Sequence, residues 1–417
     1  MKVFHFELSE NVALSQNMIA PGDVVVVSPS KVVETLLEAA IVKQMERKQD
    51  AKDEFDALAA LIKTASATSS FSTEVDKAID KMYLLLSEGM SLVFSGNSMR
   101  VYMRAQVARL LASGVASRFS ASKLIDGRDL VICSLNEGAI DIDWKSSADR
   151  LSALADNKIN VVSGGFGKTS AGEAVSLGKS ASQMMATTLA NLCSADEVVM
   201  VVGEGLAEQG VQLTYDEAAQ KFAAGGVIYP PVLSPLKKKH IPVKVVLPDG
   251  RQLLSVADEA GQEVSAITGA VASADMSLIT VYGTQLLGSV GIASKIFGNL
   301  ASSQINIHFI SQSSSEYSIS VAVKRADGPK AVEVLRNVFN SPSEYSDMHI
   351  DSREVAIVSV FGHKMKNIPG TSGRVFSAIG AAGINIIASS QGGEELSISV
   401  VVDAADGSRT LEVVSSI

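Results

Sequence analysis

A chain of 417 residues with 47% hydrophobic content has room for two or three domains, each with its own core. Its formal net charge is −9, and its one basic run, Lys237-Lys238-Lys239, reads as a solvated helix end, so nucleic acid is excluded as a partner. A membrane is excluded too: no apolar stretch reaches the ~20 residues of a span, and Glu7 and Glu10 interrupt the region a signal peptide keeps apolar.

Cys133 and Cys193 lie in apolar contexts that suit small buried thiols in a reducing cytoplasm, not a disulfide. The five histidines are scattered without metal-ligand spacing, and no metal site is expected. The run Val24–Ser28 is β-branched throughout, the pattern of a strand covered on both faces. Lys31–Gln44 carries Val32, Leu36, Leu37 and Ala40 at helical spacing, and Glu46–Asp80 reads as a helical excursion. The expectation continues with helix Met99–Ser113, strand Asp129–Cys133, helix Ser146–Leu154, strand Ile159–Ser163, helix Ser180–Leu192 and strand Glu197–Val202. Thr214 and Glu217 form a capping box at the start of helix Thr214–Ala224. A short helix ending near His240 and a strand over Pro242–Leu247 complete a region, 1–250, of three-layer α/β type.

Residues 251–269 read as a link, and beyond them a sequence occurs twice. Residues 277–328 and 356–407 align without a gap, pairing Gly283 with Gly362, Gly291 with Gly370, Phe297 with Phe376, Asn306 with Asn385 and Gln312 with Gln391. Both copies close on Ser-Ile-Ser-Val, at Ser318–Val321 and Ser397–Val400. The order strand, Gly-containing loop, helix, strand, turn, strand, helix predicts two α+β modules of the split βαβ type (βαββαβ), over 270–345 and 346–417. Phe297 and Phe376 are expected in the cores of amphipathic helices.

The repeat resembles the tandem ACT regulatory domains of the aspartokinases, through the block Ile310–Glu316 and the segment Ile368–Phe376. The region before it is similar to the amino-acid kinase domain of that family, at Val24–Ser28, Val161–Gly164, Leu177-Gly178 with Ser182, Ala195–Val198, Tyr215–Ala218, Tyr229-Pro230 and Ile241–Val243. The resemblance implies phosphoryl transfer from ATP, with magnesium, to the side-chain carboxylate of aspartate. It also implies an end-product amino acid of the lysine or threonine class at an ACT–ACT interface, and a homodimer through the ACT modules. On that basis the effector residues are Ser289, Val290, Gly291, Ile292, Asn306, Gln312, Gly370, Asn385 and Gln391. Gly291 and Gly370 stand where free helix N–H groups can hold a carboxylate, and the amides of the Asn and Gln residues can read polar groups.

The kinase motifs depart from the family. Where the family has Lys-Phe-Gly-Gly-Thr-Ser, this chain has His5–Glu10; Gly-Gly-Val-Thr reads Ser30–Val33, and Gly-Glu-Arg-Leu-Ser reads Gly96–Arg100. Gly-Arg-Gly-Gly-Ser-Asp reads Gly178–Gln183, Thr-Asp-Val-Asp-Gly reads Val202–Leu206, and Gly226 stands for a lysine. Ser28 and Gly178 remain as nucleotide-facing residues, and Lys179 and Ser182 as catalytic ones. Phosphoryl transfer depends mostly on positioning and charge, so the expectation is an impaired kinase that senses an amino acid and partners an active aspartokinase. An active aspartate kinase using ATP and magnesium is the alternative, and an enzyme for another acidic substrate a third. Val162–Thr169 ends Gly-Lys-Thr like a P-loop but lacks its first glycine, and reads as a hairpin.

Overall fold

The computed structural model describes residues 1–8, 18–46, 51–64, 69–89, 96–136, 139–203, 211–223, 226–259, 266–340, 347–366 and 368–417. Ser9 and Glu10 of the first kinase motif, and Glu204–Leu206 of another, lie outside these. The chain divides into two compact units, Met1–Tyr215 with Gly225–Gly261, and Asp216–Ala224 with Gln262–Ile417. Among the described residues no helix is long and apolar enough to cross a membrane.

In the first unit the β-branched runs form the middle of a twisted sheet. β1 (Lys2–Leu8) lies parallel between β2 (Val24–Pro29) and a later strand, and its alternation divides the side chains between two faces. Phe4 and Phe6, with Val25 and Val27, pack under α1 (Lys31–Met45), α2 (Ala51–Thr64), α3 (Ser69–Gly89) and α4 (Gly96–Ala116). The polar excursion is therefore two helices, whose buried Phe55, Leu58, Ile62, Val75 and Ile79 recur at helical spacing.

After β3 (Ser122–Ile125), the expected strand Asp129–Cys133 begins instead as a helical turn, α5 (Gly127–Leu130). Asp126 caps it by accepting from the Arg128 backbone N–H, and β4 (Ile132–Asn136) follows. β5 (Ala139–Ile142) pairs with β4, and α6 (Trp144–Ala148) covers only the start of the expected helix Ser146–Leu154. β6 (Ile159–Ser163), β7 (Phe166–Thr169) and β8 (Ala174–Ser176) follow; β7 and β8 form the hairpin, and Lys168 pairs with Asp129 at 2.7 Å. Gly-Lys-Thr thus lies on a strand, not at the start of a helix.

α7 (Ala181–Cys193) packs on the other face of β1 and β2, which makes the third layer. β9 (Glu197–Val201), β10 (Val211–Thr214), α8 (Tyr215–Ala223), α9 (Leu233–Lys237), β11 (Val243–Val246) and β12 (Gln252–Ala257) follow. The main sheet runs β10-β12-β11-β9-β1-β2-β6-β3, parallel except where β12 turns back on β11. The stretch read as a link therefore contains a strand: Leu253, Leu254 and Val256 are buried, and Leu247–Gly250 makes the turn. Both cysteines are free; Cys133 is buried and Cys193 only half-buried.

The second unit contains β13 (Gly269–Tyr282), α10 (Ile292–Ser302), β14 (Phe309–Gln312), β15 (Ser318–Lys324), α11 (Gly328–Val338) and β16 (His349–Phe361). α12 (Thr371–Ala381), β17 (Ala388–Gln391), β18 (Ser397–Asp403) and α13 (Gly407–Ser415) follow. One antiparallel sheet, β14-β15-β13-β16-β18-β17, serves both repeats. β13 and β16 pair along their whole lengths, with a shift of register between Ser273 and Met276.

Each long strand therefore works in two cores. The end of β13, with Ile279 and Val281, packs with Ile296 and Leu335, and Met348 and Ile350 at the start of β16 join them. Ala270 and Ala272 at the start of β13 pack instead with Val358, Val360 and Val375 of the second repeat. The last strand of the second βαββαβ module is thus supplied from ahead of the first module. Phe297 packs against the first core, but Phe376, expected in the second, is exposed on α12 at 37%. Within this unit Thr268 donates to a Glu217 carboxylate oxygen at 2.6 Å, and the Lys221 ammonium lies 5.7 Å from the Phe361 ring centroid.

Candidate functional site

The carboxyl ends of parallel strands β1, β2 and β6 open onto a cleft of about 320 Å³ in the first unit. An open parallel sheet binds ligands at this end because helix N-termini converge there. α1 starts at the cleft behind Ser30, whose side chain accepts from the Val33 N–H, and α7 starts beside it. All four residues expected at a nucleotide site, Ser28, Gly178, Lys179 and Ser182, line the cleft. Lys31, Glu34 and Arg104 line it as well, and sequence reasoning missed these because they sit on α1 and α4 at otherwise ordinary helical positions.

The side chains of the cleft are largely engaged within the protein. The Ser28 hydroxyl donates to the Phe6 carbonyl at 3.1 Å, and the Lys179 ammonium lies 5.0 Å from the Tyr229 ring centroid. Gln183 is clamped, its amide donating to the Val227 carbonyl at 2.6 Å while its oxygen accepts from the Tyr229 N–H at 2.9 Å. His5 points from β1 towards α7, and its Nε2 lies 2.9 Å from Ser182 Oγ, both groups being buried. Burial pushes the His5 pKa down to about 4, so its imidazole is neutral at pH 7. Glu7 keeps part of its side chain in solvent, yet the surrounding cleft, and after it the Glu34 carboxylate, push its carboxyl above the usual range.

In the second unit a hollow of about 250 Å³ opens at the amino end of α10. It gathers five of the expected effector residues, Ser289, Val290, Gly291, Ile292 and Gln312. Gly291 N-caps α10 at φ +91°, and the space where a side chain would project is open. No side chain caps that helix end, which leaves its first N–H groups facing the hollow. Val290 is wholly exposed, whereas Ile292 is buried beneath.

Asn306 lies outside the hollow, with its amide 3.2 Å from His308 Nε2. Glu316 lines the hollow instead, in a left-handed conformation (φ +60°), and accepts from the Gly288 N–H at 3.0 Å. Glu316 closes the sequence block that carries the ACT resemblance, but its backbone conformation was not legible there. In the second repeat Gly370 N-caps α12 in the same way, and Ser372 donates to the Gln391 side-chain oxygen at 3.1 Å. Asn385 is exposed.

The two units thus define an amino-acid-kinase-type α/β domain and a pair of ACT modules sharing one sheet. A family model described as "ACT domain" matches residues 279–339 and 358–416. A bifunctional aspartokinase/homoserine dehydrogenase of Haemophilus influenzae is 30% identical over 283 residues, covering 64% of this chain and 35% of that protein. Aspartokinase 2 of Bacillus subtilis is 27% identical over 293 residues, covering 66% and 70%. The fold matches E. coli aspartokinase III in complex with lysine and aspartate, with TM-score 0.77 and 18% identity over 100% of this chain and 99% of that one. In sequence and in fold the chain is similar to the aspartokinases, with ACT domains over the two matched stretches. It spans about a third of the length of the bifunctional relatives it matches.

Proposed function

We propose that this chain is a non-catalytic member of its family, a cytoplasmic sensor in the metabolism of aspartate-derived amino acids. The observation that carries the reading is the His5–Ser182 pair. At the position where the family resemblance calls for a phosphate-facing lysine, the chain has a buried, neutral imidazole already engaged with the cleft's serine. Glu7 replaces a glycine beside it and brings a carboxylate to the same opening. A unit negative charge ~4 Å from a phosphate oxygen opposes binding by about 4 kcal/mol at an effective dielectric near 20. Lys31, Lys179 and Arg104 still line the cleft, but the first phosphate loop, with His5 at the lysine position and Glu7 at a glycine position, does not suit ATP and its magnesium.

The ACT hollow supports the sensing part. The open helix end of α10 suits the carboxylate of an amino acid, and Gln312 and Glu316 can take its ammonium group. An effector of the lysine or threonine class is the reading we favour; the E. coli enzyme was solved with lysine. A homodimer through the ACT modules, and an active aspartokinase as a partner, complete the proposal.

Two measurements test it. Aspartate-dependent ADP release is expected to fall far below the usual ~1–100 s⁻¹ of kinases, and a rate within that range would end the non-catalytic reading. Calorimetry is expected to detect lysine or threonine, with Gln312→Ala weakening the affinity roughly tenfold through one lost hydrogen bond to a charged group. Absence of heat with either amino acid would refute the sensor.

A further inference from the structure

We propose that the groove between α3 and α4 is a binding site for a small monocarboxylate with an apolar body. It lies in the first unit, on the helix layer, and has no part in the cleft described above. Two helical stripes face each other across it: Glu74, Ala78, Lys81 and Leu85 from α3, and Tyr102, Gln106, Arg109 and Ser113 from α4. Each stripe follows the i, i+4, i+7, i+11 spacing that keeps residues on one helix face. Leu124 on β3, the edge strand of the main sheet, closes one side.

The floor is apolar. Met82 and Leu110, 2% and 8% exposed, belong to the main core, and Leu85 packs against it. The groove offers about 250 Å³. That suits a short hydrocarbon chain or a single ring.

Charge names the head group. Elsewhere in the helix layer several cations are paired, Lys43 with Glu54, Lys52 with Asp80, Lys63 with Asp76, Arg100 with Glu38 and Arg104 with Glu34, while Lys77 of α3 makes no ion pair among the described residues. Among the described residues, Lys81 and Arg109 make no such pair, although the chain as a whole is acidic. Asp126 senses Arg109 at longer range, but its oxygens are taken up by Arg128. The Tyr102 side chain and Gln106 amide make no hydrogen bond among the described residues, although Tyr102 lies close enough to Arg128 to interact with its charge, and both line the groove.

Two unpaired cations above an apolar floor suit one anionic group on an apolar body. Glu74 stands seven residues from Lys81, ~10 Å along the helix, and opposes a second negative charge at that end. A polyanion is therefore disfavoured, and a monoanion fits.

Calorimetry on the full chain with octanoate and, separately, with 3-phenylpropanoate tests the site and tells an aliphatic from an aromatic body. At least one acid is expected to bind saturably at one site per chain, at roughly millimolar affinity or better. Lys81→Gln and Arg109→Gln are each expected to weaken it about tenfold. Both side chains are on the surface, and an unchanged circular dichroism melt identifies variants that still fold. The site is disproved by no saturable heat from either acid up to about 10 mM, or by an affinity that neither substitution moves.

Discussion

Acidification from pH 7 to pH 4 is expected to remove about 3 kcal/mol of folding stability through His5 alone. The imidazole is fully buried, and burial depresses its pKa from 6.5 to about 4. Each unit of difference between folded and unfolded states corresponds to ~1.4 kcal/mol. The sign follows from proton uptake. Between pH 6.5 and 4 the unfolded chain binds a proton that the folded chain refuses, so stability is intact above 6.5 and declines as pH falls towards 4.

Other groups titrate over the same interval. The raised Glu7 acts in the opposite sense and the lowered Glu197 in the same sense as His5, while the lowered Asp126 acts mostly below pH 4. A comparison with His5→Gln isolates the imidazole, since glutamine does not titrate and keeps a polar tip for Ser182. Urea unfolding at pH 7 and pH 4 should show the parent losing about 3 kcal/mol more than the variant. Equal losses would mean that His5 is solvated, and the argument for a neutral side chain at the lysine position would fall with it.

Gly283→Ala is expected to destabilise the second unit by about 3 kcal/mol, near the top of the range for forced overpacking. Gly283 follows β13 at φ +154°, and an added Cβ would run into the backbone carbonyl of Asp347. That neighbour is backbone held in place by Thr284, whose N–H and hydroxyl both donate to the Asp347 carboxylate, so it cannot step aside. Its repeat partner Gly362 meets the Ala266 carbonyl in the same manner. Gly291→Ala makes the contrast: the space there is open, and only the left-handed backbone is strained, at ~1–2 kcal/mol. Chemical unfolding of the three proteins should rank them parent, Gly291→Ala, Gly283→Ala. Equal stability of parent and Gly283→Ala would show that the two strands are not so closely crossed.

These glycines show what a repeat can convey. Gly283 and Gly362 stand out in sequence because they recur at the same place, yet the atoms that demand glycine there, on Asp347 and Ala266, carry no mark. The lining of the α10 hollow was legible at Ser289–Ile292 and at Gln312, whereas Leu286, Gly288 and Glu316 carried no mark of it. Asn306 recurs with Asn385 and invited a ligand role, but its amide faces His308. Phe376 recurs with Phe297 at the same helical phase, yet only Phe297 packs against its repeat's core.

By itself the order of residues determined the α/β class of the first region and the twofold α+β repeat, because periodicity and repetition are local properties of a chain, while the ACT and kinase-type readings came from resemblance to a family. Tertiary structure alone decided that β13 and β16 each serve two cores, and that the residues 251–269 contain a strand of the main sheet. The pairing of His5 with Ser182, 177 residues apart, was also settled only there. Such contacts depend on which strand lies beside which, and pairing between distant segments leaves no periodic trace in either one.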